Sequence, residues 1–141
     1  MTKRIGFKPA KAAAWREFSL YIRKRDSIRT TGREGEARCV TCGKVYASSG
    51  QGCLQAGHFI PGRHLSILFD ERNCHAQCYN CNIRLKGNWP EYYAYMLARY
   101  GSRVIEELMA KNRQTVSMMP HELLALAESF RAKRLELEAG P

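Results

Sequence analysis

Residues 73–82, with the sequence NCHAQCYNCN, contain a Cys-x2-Cys pair formed by Cys78 and Cys81. A second pair with the same spacing, Cys39 and Cys42, lies upstream. Each pair can supply two thiolates from one tight turn, and four thiolates complete the tetrahedral shell that zinc favours. The sequence therefore predicts a structural Zn²⁺ site. Because four sulfurs leave no open position for water, we expect this metal to hold the fold and the chemistry of the protein to lie elsewhere.

The remaining cysteines, Cys53 and Cys74, have no partner at this spacing, and we expect them to be buried free thiols. The sequence has no apolar stretch of membrane-spanning length and no secretory signal, so we expect a cytosolic protein without a membrane partner. A reducing cytosol disfavours disulfides, which again favours metal binding. A thioredoxin-like role for the pairs would need a βαβ context that the pattern lacks.

The charge of the chain is uneven. The formal net charge is +10, and the basic excess lies in residues 1–89, whereas residues 90–141 hold equal numbers of acidic and basic side chains. This asymmetry suits a polyanion such as nucleic acid bound across the N-terminal and central segments. A solvated basic helix face is the alternative explanation.

The length suits one domain, which we expect over residues 1–141, of the α+β class. Residues 9–29 predict a basic amphipathic helix with Trp15 on its apolar stripe. The next segment, to residue 88, is rich in Gly, Cys and Asn with short β-like runs, which favours hairpins and loops tied by the zinc. Residues 89–138 return to helical periodicity and predict a helical scaffold.

The segment between the cysteine pairs contains AGHFIPG at residues 56–62, with His58 at the end of a predicted strand. Asn73 stands five residues before the second pair, and Asn82 follows that pair directly. This arrangement resembles the zinc-containing HNH nuclease pattern of the ββα-metal (His-Me finger) superfamily. The resemblance implies a zinc-bound ββα core over residues 37–88.

The longer string AGHFIPG…LFDERNCHAQCYNCN…GN…Y, with helices on each side, is similar to the NinG (Rap) recombination protein family of lambdoid phages over residues 11–137. The resemblance implies an HNH-type phosphodiester hydrolase that cuts branched DNA, such as Holliday junctions or D-loops, with Mg²⁺ or Mn²⁺. It also implies a phage-encoded protein of the host bacterial cytosol, with phage or host recombination proteins as possible partners.

The pattern assigns a role to each matched residue. His58 is the expected general base, because a neutral imidazole can take a proton from water at physiological pH. Asn82 is expected to open a short helix and to give its carboxamide oxygen to the catalytic cation. Asn73 is expected to pin the loop through side-chain to backbone hydrogen bonds that aim His58. A hydrogen-bonded histidine in a non-catalytic zinc module is the alternative.

One position departs from the pattern: many HNH sites have a metal-binding Asp directly before the base, and this chain has Gly57. We expect His75 to supply a replacement ligand, although a structural, hydrogen-bonded histidine is the alternative. Asp70 or Glu71 could supply oxygen if their loop folds back toward His58.

Six basic side chains beside the motif and on the first helix are expected to bind the DNA backbone without reading bases. They are Arg63, Arg84, Lys86, Arg23, Lys24 and Arg25. His64 and His121 are expected to have no chemical role, apart from contact of His64 with phosphate. Since nothing resembles a base-reading element, we expect selection of DNA shape rather than of sequence.

These residues predict a structure-selective endonuclease. Because a four-way junction has near two-fold symmetry, we also expect a homodimer. Two other functions stay open: a zinc-knuckle DNA-binding protein that serves recombination without cutting, and a sequence-specific HNH endonuclease.

Overall fold

A computed structural model describes residues 4–138, so the outermost residues of the domain predicted over 1–141 lie outside the description. The protein is of the α+β class, with helices around two short hairpins. The helices are α1 (Phe7–Thr31), α2 (Leu65–Leu68), α3 (Trp89–Tyr100), α4 (Ser102–Asn112) and α5 (Pro120–Glu136). The strands are β1 (Glu36–Arg38), β2 (Val45–Ala47), β3 (Gln55–His58) and β4 (Cys74–Gln77). None of these helices combines the length and the apolar character that a membrane span requires.

Helix α1 forms where the basic amphipathic helix was predicted and is longer at both ends. Its apolar face is fully buried at Phe18 and Ile22, which pack on Phe130 of α5. The helix ends at Gly32, whose φ of 77° is a left-handed conformation that glycine adopts without steric cost. This long helix supports one face of the second hairpin.

The two hairpins have different tasks. Strands β1 and β2 pair in antiparallel fashion and hold the first cysteine pair in the connection between them. Strands β3 and β4 also pair in antiparallel fashion, with Gly57 opposite His75 and His58 opposite Cys74. His58 therefore ends its strand, as predicted.

The β3–β4 hairpin has one covered and one open edge. On the covered edge, the Ala76 N–H donates to Asp26 of α1 (2.7 Å) and the Ala76 carbonyl accepts from Val40 (2.9 Å). Since opposite residues of an antiparallel pair alternate between bonded and non-bonded, Ala56, which faces Ala76, points its own backbone groups away from β4. Within residues 4–138, strand β3 thus has no partner strand on its outer edge.

The second cysteine pair leads into a single π-helical turn, Asn80–Arg84, and not into a regular helix. This turn occupies the place of the α element in the expected ββα core. Asn82 lies in its middle, so the expectation that Asn82 opens a helix is corrected. Helix α3 then begins at Trp89, with Pro90 in its first turn, where a missing N–H costs nothing.

Candidate metal centre and basic groove

Four cysteines of the two hairpin regions converge, as the spacing predicted. The Sγ atoms of Cys39, Cys42, Cys78 and Cys81 all lie within 4.8 Å of one another. The Sγ atoms of Cys42 and Cys78 are 3.9 Å apart. A tetrahedral zinc site with Zn–S bonds of about 2.3 Å separates its sulfurs by about 3.8 Å, so the cluster fits structural Zn²⁺.

Backbone and side-chain donors surround these sulfurs. The N–H of Cys78 donates to Cys39 Sγ at 3.3 Å, and Asn88 Nδ2 donates to Cys81 Sγ at 3.6 Å. Burial alone would raise the pKa of Cys39, but these backbone hydrogen bonds and Thr41 lower it to about 6. Cys39 is thus poised as a thiolate, the form that binds metal, whereas burial raises the pKa of Cys42 and Cys78 while no metal is bound.

His58 opens onto a groove of about 560 Å³ along the free edge of β3. Its Nε2 lies 2.9 Å from the carbonyl oxygen of Leu68, and its ring stacks on Trp15 with centroids 5.3 Å apart. A carbonyl can only accept, so Nε2 carries the hydrogen and Nδ1 keeps its lone pair. Burial, and less strongly the charge of Arg63, lower the pKa of His58 against the opposing effect of the Leu68 carbonyl. The ring is therefore neutral at physiological pH.

Asn73 makes the hydrogen bonds expected of a residue that pins the loop after His58. Its Oδ1 accepts from the N–H of Ile60 at 2.9 Å, and its Nδ2 donates to the Ile60 carbonyl at 3.2 Å. The Asn73 carbonyl also accepts from the N–H of Phe59 at 2.8 Å. The side chain is fully buried, so this clamp is shielded from water.

Asn82 lies in the same groove as His58. Its Nδ2 donates to Gln55 Oε1 at 2.8 Å, which orients the carboxamide and leaves Asn82 Oδ1 as an acceptor. The structure thus places His58 and Asn82 in the same groove, whereas Asn73 is not part of the groove lining.

His75 is not at this site, which corrects its expected place as a metal ligand. Its Nδ1 lies 3.0 Å from the Tyr92 hydroxyl and its Nε2 lies 2.8 Å from the Tyr100 hydroxyl. The side chain is buried, and burial lowers its pKa to about 3. With both nitrogens engaged, His75 has no free electron pair for a cation. His75 is therefore a structural, hydrogen-bonded histidine, which was the alternative to a metal ligand.

The two acidic residues considered as oxygen ligands also lie elsewhere. Asp70 pairs with Arg72 at 3.1 Å and with Lys111 at 2.8 Å, and Glu71 pairs with Lys133 of α5 at 2.8 Å. Among residues 4–138, no Asp or Glu side chain lines the groove. The side-chain donors that the groove offers to a hard cation are amide oxygens, the Ser19 hydroxyl and one imidazole nitrogen, so a DNA phosphate would have to supply further oxygens.

The space beside Gly57 explains why this position holds no Asp. A Cβ atom there would overlap Gln77 Oε1 and would lie 2.9 Å from Gln77 Cβ. Gln77 is fully buried and its Nε2 donates to the Gly87 carbonyl at 2.8 Å, so it cannot simply swing away. Glycine is the residue that this close approach allows.

Four of the six basic residues expected to bind DNA remain accessible, three of them in the groove. Arg23, Arg63 and Lys86 line the groove with His58. Arg84 is exposed near the ring of Tyr79, outside the groove lining.

Lys24 and Arg25 correct the expected DNA contacts. Lys24 turns toward the Arg134 carbonyl of α5, which it meets at 3.0 Å, and pairs with Glu34. Arg25 is 3% exposed and bonds Asp26 and the carbonyl of Cys74, each at 2.8 Å. Arg25 is thus a buried structural residue and cannot reach DNA.

Trp15, predicted on the apolar stripe of the first helix, also lines the groove, where the guanidinium of Arg63 lies 5.1 Å from the ring centroid. Trp89, 44% exposed, lines the opposite part of the groove and stacks on Phe59. An aromatic residue directly beside a basic segment is the signal that could have indicated such stacking surfaces.

The two cysteines outside the metal cluster differ. Cys74 is fully buried, as predicted, and burial raises the pKa of its thiol. Cys53 is only partly buried and lines the groove 3.5 Å from Arg23 Nη1, which corrects its expected full burial. His64 and His121 are exposed.

Chemically, the groove combines a neutral, oriented imidazole with three cationic side chains and two aromatic faces. This combination can bind an anion with attached planar groups and remove a proton from a water molecule beside it.

The comparisons with known proteins that give a match all point to the same family. The sequence model of the family described as "Bacteriophage Lambda NinG protein" matches residues 8–139. Over 97 residues, the chain is 27% identical to "Protein ninG" of Escherichia phage 933W and of Salmonella phage P22, and 26% identical to that of Escherichia phage lambda. Each match covers 68% of this chain and 42% of the relative, so the matched region spans less than half of these curated relatives. No solved structure matches the chain.

Proposed function

Since the chain belongs to the bacteriophage lambda NinG family, we propose that it is an HNH-type, divalent-metal-dependent endonuclease that hydrolyses phosphodiesters in branched DNA. The observation that carries the proposal is His58, which lines a groove together with Arg23, Arg63 and Lys86 and whose Nδ1 has no hydrogen-bond partner among residues 4–138. The branched substrate, such as a Holliday junction or D-loop, follows from the resemblance to recombination proteins and not from the groove itself.

His58 acts as the general base. Its Nδ1 takes one proton from a water molecule, and the resulting hydroxide attacks the phosphorus of the scissile phosphodiester. The bond from phosphorus to the 3′-oxygen breaks, and the leaving oxygen takes a proton from solvent. The Leu68 carbonyl fixes the ring through Nε2–H and stabilises the imidazolium that forms, as an orienting acceptor does in other base-assisted sites.

The cationic side chains bind and position the substrate. Arg63, held over Trp15, and Arg23, held by the Ser48 carbonyl at 2.9 Å, are pre-oriented to meet nonbridging oxygens. Trp89 offers an exposed ring to a sugar or an unstacked base. These contacts engage the backbone and do not distinguish bases, which suits selection of DNA shape.

A catalytic Mg²⁺ or Mn²⁺ would be held by the Oδ1 of Asn82 together with phosphate oxygens of the DNA, and would neutralise charge on the leaving 3′-oxygen. The donor set around Asn82 is neutral, so the protein alone should bind this cation weakly. Tight binding is then expected only in the presence of DNA.

The test is His58→Ala in the full, zinc-loaded chain, with His121→Ala as the matched control because that histidine is exposed and has no proposed role. We expect His58→Ala to lose cleavage of a four-way junction by about 10²–10⁴-fold, with zinc content and junction binding retained. Unchanged cleavage in His58→Ala would overturn the assignment of the base.

A second function has its own support. The lack of any carboxylate in the described groove lining favours a zinc-knuckle DNA-binding protein that serves recombination without cutting. Junction binding by the wild-type chain without cleavage under any divalent cation would establish this alternative. Equal cleavage of a junction and of its linear arms would instead favour an endonuclease without structure selectivity, and cleavage at one base sequence would favour the sequence-specific one.

The symmetry of a four-way junction supports a two-fold homodimer, which would cut paired strands. Phage or host recombination proteins are further proposed partners. A scattering mass of one chain, both free and on junction DNA, would contradict the dimer.

A further inference from the structure

A second basic cavity lies apart from the groove. It has a volume of about 420 Å³ and is bordered by the end of α1, the first cysteine pair and α3. Three arginines contribute to its lining: Arg29, Arg38 and Arg99. We call this cavity the arginine pocket. It shares no lining residue with the groove that contains His58.

The three guanidinium groups have no acidic partner among residues 4–138. All three arginines are exposed, and none of them forms an ion pair within that range. Asp26 also borders the pocket, but its two oxygens are taken by Arg25 at 2.8 Å and by the Ala76 N–H at 2.7 Å. Three like charges around one cavity repel each other, so the pocket favours an anion.

The arginine pocket and the groove lie on opposite edges of the β3–β4 hairpin. The groove follows the free edge of β3. Val40, which borders the arginine pocket, binds the other edge through Ala76 of β4. A DNA segment that occupies the groove therefore leaves the arginine pocket available to a different segment.

We propose that the arginine pocket binds backbone phosphates of a second DNA segment, the neighbouring arm of a branched substrate whose scissile strand lies in the groove. This proposal rests on the proposed function for the identity of the substrate. Guanidinium groups suit phosphate because their paired N–H donors match two phosphate oxygens. The second contact gives a branched molecule an attachment that a straight duplex in the groove lacks.

Zinc supplies the main rival explanation. A zinc ion with four thiolates carries a net negative charge, and Cys39 borders the arginine pocket. The arginines would then compensate the metal centre and would have no ligand of their own. This explanation predicts loss of zinc, not loss of DNA binding, when the arginines are neutralised.

The experiment compares two variants with equal loss of charge. One carries Arg29→Gln, Arg38→Gln and Arg99→Gln, and the matched control carries Arg103→Gln, Arg113→Gln and Arg131→Gln on exposed positions of the C-terminal region. Affinity is measured, without added divalent cation, for a four-way junction and for a linear duplex of two of its arms. Zinc content is measured in parallel.

We expect the arginine-pocket variant to bind the junction at least about tenfold more weakly and the linear duplex about as the control does. The slope of log affinity against log salt for the junction should fall by about 2 to 3, since each phosphate contact contributes about 0.9. Equal weakening for both DNAs, the same affinity as the control, or loss of zinc would each overturn the proposal.

The outcome is separable from that of the proposed function. A chain that never cleaves, but binds the junction through these arginines, refutes the nuclease and retains the pocket. A chain that cleaves through His58, but binds the junction equally with and without these arginines, refutes the pocket and retains the nuclease.

Discussion

Two histidines on neighbouring strands occupy opposite environments. His58 ends β3, gives Nε2–H to the Leu68 carbonyl and lines the groove with no hydrogen bond at Nδ1 among residues 4–138. His75 in β4 is buried between two tyrosines. Because Tyr92 donates its hydroxyl hydrogen to the Gly57 carbonyl at 2.7 Å, its oxygen accepts from His75 Nδ1–H, and His75 Nε2 accepts from Tyr100. The two rings are therefore opposite tautomers: His75 has hydrogen bonds at both nitrogens, whereas His58 has one only at Nε2 among the described residues.

The strand register explains this difference. His58 faces Cys74 and His75 faces Gly57, and successive side chains of a strand point to opposite faces. His58 shares its face with α1, whereas His75 lies against α3. Two histidines in one short motif thus serve separate layers of the protein.

The largest effect that tests this difference is on stability. We expect His75→Ala to lower the free energy of unfolding in urea by about 4 kcal/mol, because it leaves a cavity and removes the hydrogen bonds that the Tyr92 and Tyr100 hydroxyls make to the imidazole. Cleavage per folded molecule should stay unchanged. The exposed His121→Ala is the control. A stable His75→Ala protein that no longer cleaves DNA would show that the two histidines act together.

The next effect is expected at Gly57, which directly precedes His58 in β3 and faces His75 of β4. We expect Gly57→Asp to destabilise the fold by about 2 kcal/mol, because the new Cβ meets Gln77. Combination with Gln77→Ala should recover at least about 1 kcal/mol relative to the sum of the single effects. Urea unfolding of the three variants measures this coupling, and strictly additive effects would show that Gln77 does not exclude the carboxylate.

A smaller effect is expected at the proposed cation site. Asn82→Asp places a carboxylate beside His58 and should lower the Mg²⁺ concentration for half-maximal cleavage about tenfold. Asn80→Asp, on the same turn but exposed outside the groove lining, is the matched control. The same gain in both variants would indicate a general charge effect and not a ligand at residue 82.

The smallest effect is on pH dependence. The pKa of His58 is lowered, so the neutral base persists below pH 6.5, and single-turnover cleavage should fall only on the acid side of that value. Arg63→Gln removes a charge that lowers this pKa, so the acid limb should move upward by a few tenths of a pH unit. Because Arg63 is also proposed to bind phosphate, each rate profile is scaled to its own plateau above neutral pH, and only the position of the acid limb is compared. A rate that instead falls on the alkaline side would mean that protonated His58 is required.

The local features of the site were predictable from the sequence. The spacing of Cys39, Cys42, Cys78 and Cys81 indicated the metal cluster because each pair is formed by one turn. The Asn73 clamp and the helical regions also follow from short-range patterns, since caps, turns and periodicity involve residues close in the chain.

The predictions that were wrong concern residues whose contacts come from distant parts of the chain. In the sequence, Arg25 does not differ from the basic residues beside it. In the structure, its guanidinium is buried and donates to the carbonyls of residues 71 and 74. Asp70 is withdrawn from the groove by Lys111 of α4. His75 needed the strand register and Tyr100 of α3 to be understood. Such pairings arise from packing between elements, which no local spacing encodes.

Hydrogen exchange at the free edge of β3 can report whether DNA occupies the groove. The Ala56 N–H points away from β4, toward the groove, and strand pairing does not protect it from solvent hydrogen. Although Ala56 is only 8% exposed, its amide proton should exchange faster than that of Ala76, which is bonded to Asp26, and should slow down when a DNA strand covers that edge. Hydrogen exchange at these two alanines would thus show residue by residue when the groove is filled, independently of any cut in the DNA.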